Sequence, residues 1–325
     1  MLEVEKYYTE KDMMKLDMEL EFIPLTYDAI FKGVFKKNLD ILKLFILSQL
    51  ELDISPDRCK IELFDSELPK DNKKEYQKTV DIFVKVDNMY VNIEINREYF
   101  KDVEKRNLIF ADKLHSMMLE RGEDARKINE KIFVQINLNA VDKYGDDKEK
   151  LKYGTDKIVT YGLFSKKIYN SNKYILLKFL EYYRDLYYNG EELDKSSLWL
   201  VLFTSRTFQE LYVLSKELLD EDLQDQFIRK VIEMNRDIHI FSSWELEKLN
   251  ELVEVTKHDN AIKDGLEEGI KQGIKQGIEQ GIEQGIDKAT EEHIMNMLKE
   301  NLDVDMIARI TNKTSEEIVA IKDLM

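Results

Sequence analysis

VDIFVKVDNMYVNIEIN, residues 80–96, is the stretch on which the fold turns. Side chains alternate across a strand. Val80, Ile82, Val84 and Val86 therefore share one face, and Asp81, Phe83 and Lys85 the other. In the second half Val91, Ile93 and Ile95 share a face, and Asn92, Glu94 and Asn96 the opposite one. Asp87-Asn88 between the halves suits a tight turn, which pairs Val86 with Met89. Counting outward, Lys85 faces Tyr90, Phe83 faces Asn92, and Asp81 faces Glu94.

Two carboxylates opposite each other on one face repel and cost stability. A divalent cation between them reverses the sign. Oxygen ligands with water positions left open suit Mg²⁺ or Mn²⁺, and the Ile95 carbonyl can complete the set. The same spacing also fits a half-exposed hairpin with acids on its wet face.

Outward from this hairpin, TYDAIFKGVFKKNLDILKLFILSQL (26–50) reads as a helix capped by Thr26, with Ile30, Val34, Ile41, Leu44 and Phe45 at helical spacing. CKIELF (59–64) alternates as a strand, and DSELPKDNKKEYQ (65–77) reads as a polar, mobile connection. Residues 97–122 read as a helix with Val103, Phe110, Leu114 and Met117 on one face and Gly122 near its stop. KIFVQINLNAV (131–141) is a further strand. A helix between the last two strands implies a parallel crossover. The expectation is an α/β core of order α-β-β-β-α-β over 26–145, after an N-terminal arm (1–25). A mostly helical extension (146–260) packs on that core. Within it, 173–188 fits a strand running into a helix or a single helix, while 198–219 and 223–235 look helical.

The ordered set of elements, with Asp81 on the second strand and Glu94-Ile95-Asn96 on the third, resembles the PD-(D/E)xK nuclease superfamily. It is most similar to the bacterial branch of recombination-promoting nucleases, also described as transposases. YDAIFKGVF (27–35) resembles that branch's opening helix, and VDIFVKVDNMYVNIEINREY (80–99) with Arg106-Asn107 its central block. The resemblance implies a restriction-endonuclease-like core and Mg²⁺- or Mn²⁺-dependent hydrolysis of DNA, linked to recombination, mobile elements or phage defence. Carried over by position, Asp81 and Glu94 bind metal with the Ile95 carbonyl, and Asp28 supplies a third carboxylate. Asp28 equally suits a helix N-terminus on dipole grounds. The family's third motif residue is Lys or Gln, and here it is Asn96. Asn can position a water but brings no charge. Lys85 or Arg106 can stand in for it.

The chain has 325 residues and a net charge of −16, which opposes broad charge-driven binding to nucleic acid. Lys32, Lys36 and Lys37 offer a small basic face, and the bases of 97–131 are almost cancelled by nearby acids. Hydrophobic content is 43%, and no run approaches the roughly 18 apolar residues of a membrane span. The one cysteine, Cys59, excludes a Cys-based zinc site, and the four histidines show no ligand spacing. The expectation is a cytoplasmic protein without membrane contact.

GLEEGIKQGIKQGIEQGIEQGIDK (265–288) repeats every four residues. On a helix its glycines and isoleucines form two adjacent stripes. Each interior Gly costs about 1 kcal/mol relative to Ala. The segment 261–288 is thus a helix or linker, either a spacer or a site of homo-oligomer formation. The tail, 289–325, reads as a small helical unit with a capping box at Thr314 and Glu317. It fits a docking unit or a small helix-turn-helix.

Two functions follow: a metal-dependent DNA endonuclease, or a catalytically weak or inactive protein of the same fold that acts in DNA binding or assembly. The facing carboxylates favour the first. Asn96 and the −16 charge favour the second.

Overall fold

Strand alternation on both sides of Asp87-Asn88 produces the expected hairpin. The computed structural model describes residues 7–52, 54–64, 80–97, 103–118, 126–127, 131–140, 153–169 and 172–323. In it β1 (Ile61–Leu63), β2 (Ile82–Val86) and β3 (Met89–Asn96) form an antiparallel meander. Asp87 takes φ 52°, the left-handed conformation a two-residue hairpin turn demands. The register is the one counted from sequence: Val86 pairs with Met89, Lys85 with Tyr90 and Phe83 with Asn92.

After β3 the chain enters α4 (Val103–Met117) and returns as β4 (Ile132–Asn139), parallel to β3. This is the expected crossover. β5 (Thr155–Ile158) and β8 (Lys173–Phe179) complete a mixed sheet of six strands, ordered β1-β2-β3-β4-β8-β5. Between them β6 (Thr160–Tyr161) and β7 (Ile168–Tyr169) form a separate small ribbon. The start of the expected helical extension is therefore strand, because Ile175, Leu177 and Phe179 have a sheet face to bury. The stretch 173–188 resolves as β8 followed by α5 (Leu180–Tyr188).

Helices cover both sheet faces. Ile82, Val84, Val91, Ile93, Val134 and Ile136 pack under α2 (Asp28–Phe35), α3 (Leu39–Gln49), α6 (Lys195–Leu202), α7 (Phe208–Leu218) and α8 (Glu221–Asn235). Phe31, Phe35, Phe45, Phe203 and Phe227 fill this core, with Phe35 stacked on Phe203 at 5.4 Å. The opposite face, with Phe83 and Phe133, meets Ala111 and Leu114 of α4.

Local details depart from expectation. The stretch 26–50 is two helices, not one, because the Asn38 amide donates to Val34 O at 2.7 Å and ends the first. Thr26 does not cap it. Tyr27 takes the cap position without a side-chain bond. A similar break divides 198–219: Thr204 and Ser205 hydroxyls donate to Val201 and Leu202 carbonyls, and Thr207 caps α7 through Glu210 N–H. On α4, Met118 is buried where Met117 was expected, and Met117 is exposed. The stretch read as an arm carries α1 (Glu10–Glu19), with Met13 and Leu16 buried in the main core. The connection 65–77 and the helix stop at Gly122 lie outside the described residues.

The chain divides into compact units 1–245 and 246–325. Arm, core and the extension up to residue 245 fall in the first, and residues 246–260 of the extension fall in the second. In the second, the glycine repeat is helical throughout, within α9 (Ile238–Lys299). The end of α9 joins α10 (Val304–Thr311) and α11 (Ser315–Asp323) in a small cluster around Ile294, Ile307 and Ile318. The expected capping box is present: Thr314 N–H donates to Glu317 Oε2 at 2.7 Å, and Glu317 N–H to Thr314 Oγ1 at 3.2 Å. Among the described residues, no helix is long and apolar enough to cross a membrane.

Candidate functional site

The hairpin register carries Asp81 to the last turn before β2, one step beyond the final ladder pair Ile82–Ile93. Its side chain takes over where the strand stops. Ile95 N–H donates to Asp81 Oδ2 at 2.9 Å. Asn96 C=O, one residue on, accepts from Ala140 N–H on the β4 side. Main-chain groups of successive strand residues point to opposite neighbours. The Ile95 carbonyl therefore points towards the Asp81 side, where β2 has already ended.

Asp28 and Lys32 stand one turn apart on α2, the spacing that lets an acid and a base meet. Lys32 Nζ lies 2.6 Å from Asp28 Oδ1 and 3.0 Å from Asp81 Oδ1. The first helix thus reaches the hairpin, but through its lysine. Asp28 is joined to Asp81 by the cation between them, and its own side chain is 62% exposed.

Glu94 is only 4% exposed. Asn92 Nδ2 donates to its Oε1 at 3.0 Å. Burial, then the neighbouring Asp81 charge, push its carboxyl up to about 8 from an ordinary 4.5. Burial also raises Asp81, against the lowering effect of Ile95 N–H and Lys32. The contact with Lys32 offsets the charge of Asp81. Among the described residues Glu94 has no such partner within ion-pair distance, and Arg106 acts on it only as a more distant charge.

Asn96 is fully engaged. Its Nδ2 donates to Asn139 Oδ1 at 2.9 Å, and its Oδ1 accepts from Arg106 at 3.2 Å. Arg106 is therefore the basic residue that reaches Asn96. Lys85 is not: it lies over the Tyr90 ring at the far end of the hairpin. Arg97 points to the opposite face, against Tyr27 and Trp244.

Sequence reading missed a row of carboxamides. On parallel β3 and β4, Asn92 pairs with Gln135, Glu94 with Asn137, and Asn96 with Asn139. All six are at least 96% buried, beneath Asn107 of α4. Gln135 Nε2 donates to Asn137 Oδ1 at 3.0 Å, which leaves the Asn137 amide as a donor beside Glu94. Asn137 Nδ2, Asn92 Oδ1 and both polar atoms of Asn107 have no hydrogen-bond partner. Buried polar groups are almost always paired, so this strip is held at a cost in stability. The signal was QINLN (135–139), whose polar positions share the parity of Glu94. It becomes legible only once β4 is known to lie beside β3.

The donors at hand are two carboxylates and the Ile95 carbonyl, all hard oxygens of the kind Mg²⁺ and Mn²⁺ take. Among the described residues, no three His, Cys, Asp or Glu side chains converge as a ligand set. His115 is buried against Phe133, and His239 and His293 are exposed elsewhere. Compared with known proteins, the chain matches no family model, no curated protein and no solved structure.

Proposed function

We propose that the chain is a Mg²⁺- or Mn²⁺-dependent DNA endonuclease built on a restriction-endonuclease-like core. The observation that carries this reading is the buried Glu94 beside Asp81, with no cation in ion-pair contact among the described residues, and the Ile95 carbonyl directed to the side where β2 has ended. A carboxylate in that position is unfavourable unless a cation joins it. The order of the antiparallel meander, crossover helix and parallel strand supports the core assignment.

Asp81, Glu94 and the Ile95 carbonyl would hold the ion, which supplies a Lewis acid for the phosphodiester and acidifies water. Lys32 and Arg106 offset phosphate charge at the two ends of the site. Asn96 orients a water through its amide once Asn139 or Arg106 yields to substrate. The test is nicking of supercoiled plasmid with Mg²⁺ or Mn²⁺ and with chelator. Asp81→Ala and Glu94→Ala should abolish metal-dependent cleavage. Cleavage retained in full by purified Asp81→Ala would sink the proposal.

A second reading is a binding or assembly protein of the same fold that cuts poorly. Two features favour it: Asn96 spends both polar atoms on protein partners, and Lys32 already neutralises Asp81. Metal binding by calorimetry without nicking would select it.

A further inference from the structure

The isoleucine stripe of the repeat has no cover. Ile270, Ile274, Ile278, Ile282 and Ile286 are 55–61% exposed, and nothing lies within 4 Å of where a Cβ would sit on any repeat glycine. An exposed stripe alone does not name its occupant. The charges beside it do.

Each repeat places one residue about 100° past its isoleucine, flanking the apolar ridge. Over the central repeats these residues are Lys271, Lys275, Glu279 and Glu283, all exposed. The order Lys-Lys-Glu-Glu becomes its own complement when reversed. In an antiparallel pair related by a two-fold axis across the seam, the charged flanks of both helices fall on the same side. Centred on Gly277, such a pair sets Lys275 opposite the second copy's Glu279, and Lys271 opposite its Glu283, each twice by symmetry. The outermost pair, Glu267 and Asp287, are both acids, about 15 Å along the helix from the axis, where obliquely crossed helices have diverged. In a parallel two-fold pair the charged flank would instead face the glycine flank, and the charges would find no partners.

We infer that the repeat is a homodimerisation helix that binds a second copy of this chain antiparallel, with the two-fold axis at Gly277. The isoleucines are rows of spacing four, and the glycines beside them form a parallel groove. Ridges of that spacing interdigitate at an oblique crossing near −50°, and absent side chains let the backbones approach. At such a crossing the central isoleucines, Ile274, Ile278 and Ile282, meet their copies, and the lysine stems extend the contact. Such an interface is isologous and closes at two copies. This inference is independent of the nuclease reading.

The test is sedimentation of the full chain. Wild type should run at twice the 38.6 kDa chain mass. Lys271→Glu/Lys275→Glu and Glu279→Lys/Glu283→Lys should each weaken self-association at least tenfold with helicity unchanged. Mixing the two should restore the dimer, and a chain carrying all four changes should dimerise alone. Cysteine placement reads the direction. Ile278→Cys lies on the seam one residue from the axis and should cross-link to its copy. Ile286→Cys would sit about 27 Å along the helix from its copy and should not, whereas in a parallel pair it would face its copy. A monomeric wild type would overturn the inference and leave the stripe to a different protein. Charge variants that stay dimeric, or cross-linking favoured at Ile286→Cys, would overturn it equally.

Discussion

Replacing Glu94 by Gln removes the charge that burial and Asp81 disfavour while keeping the shape and the acceptor for Asn92. An unfolded glutamate titrates near 4.5, and the folded one is pushed up to about 8. Below pH 4.5 both states hold the proton and Glu94 does not affect stability. Between 4.5 and 8 only the unfolded chain releases it, so the folded state loses stability as pH rises. Above 8 the loss is complete. A shift of that size corresponds to on the order of 5 kcal/mol, an upper limit because rearrangement and water entry offset part of it. Asp81 is also raised by burial, so some slope of the same sign persists in the variant. Urea unfolding of wild type and Glu94→Gln at intervals from pH 5 to 8 isolates the difference. The variant should match wild type within about 1 kcal/mol near pH 5 and exceed it by several kcal/mol at pH 8. Saturating Mg²⁺ or Mn²⁺ should narrow the gap at pH 8, since ligand at a hundred times its Kd adds about 2.7 kcal/mol. Two stability profiles that run parallel across this range would refute the account of Glu94 as a buried, unneutralised acid.

Lys32→Met should destabilise the fold by about 2–3 kcal/mol, because Asp81 keeps its burial and loses its cation. Thermal denaturation at pH 7 measures it, and the deficit should shrink towards pH 4 as the raised Asp81 protonates. Asn96→Lys should raise metal-dependent nicking at some cost in melting temperature. The new ammonium supplies the missing charge but displaces the bonds to Asn139 and Arg106, and nicking no higher than wild type would show that charge at this position is not the limit. Phe203→Ala should cost about 3–5 kcal/mol by guanidinium unfolding, as expected for an emptied aromatic site in the main core. Metal affinity of that variant, measured by calorimetry on the folded protein, should be unchanged.

Strand parity and the two-residue turn by themselves determined the hairpin, its register and the shared face of Phe83, Asn92, Lys85 and Tyr90. These are local consequences of alternation and of one φ > 0 turn residue. The crossover from β3 to β4 was equally legible, since a helix between two adjacent strands leaves little choice of direction. The breaks at Asn38 and at Thr204-Ser205 were missed. They depend on short polar side chains capturing nearby carbonyls, which outweighs hydrophobic spacing that reads as continuous. The site divided in the same way. Asp81 and Glu94 were named by counting along one hairpin. The lysine that Asp28 shares with Asp81, and the row Gln135-Asn137-Asn139 beside Asn92-Glu94-Asn96, join segments far apart in the chain. Only tertiary packing sets which polar faces meet and which carboxylate is left without a cation. Local pattern fixes where a side chain points, and burial and neighbouring charge decide what it costs to keep it there.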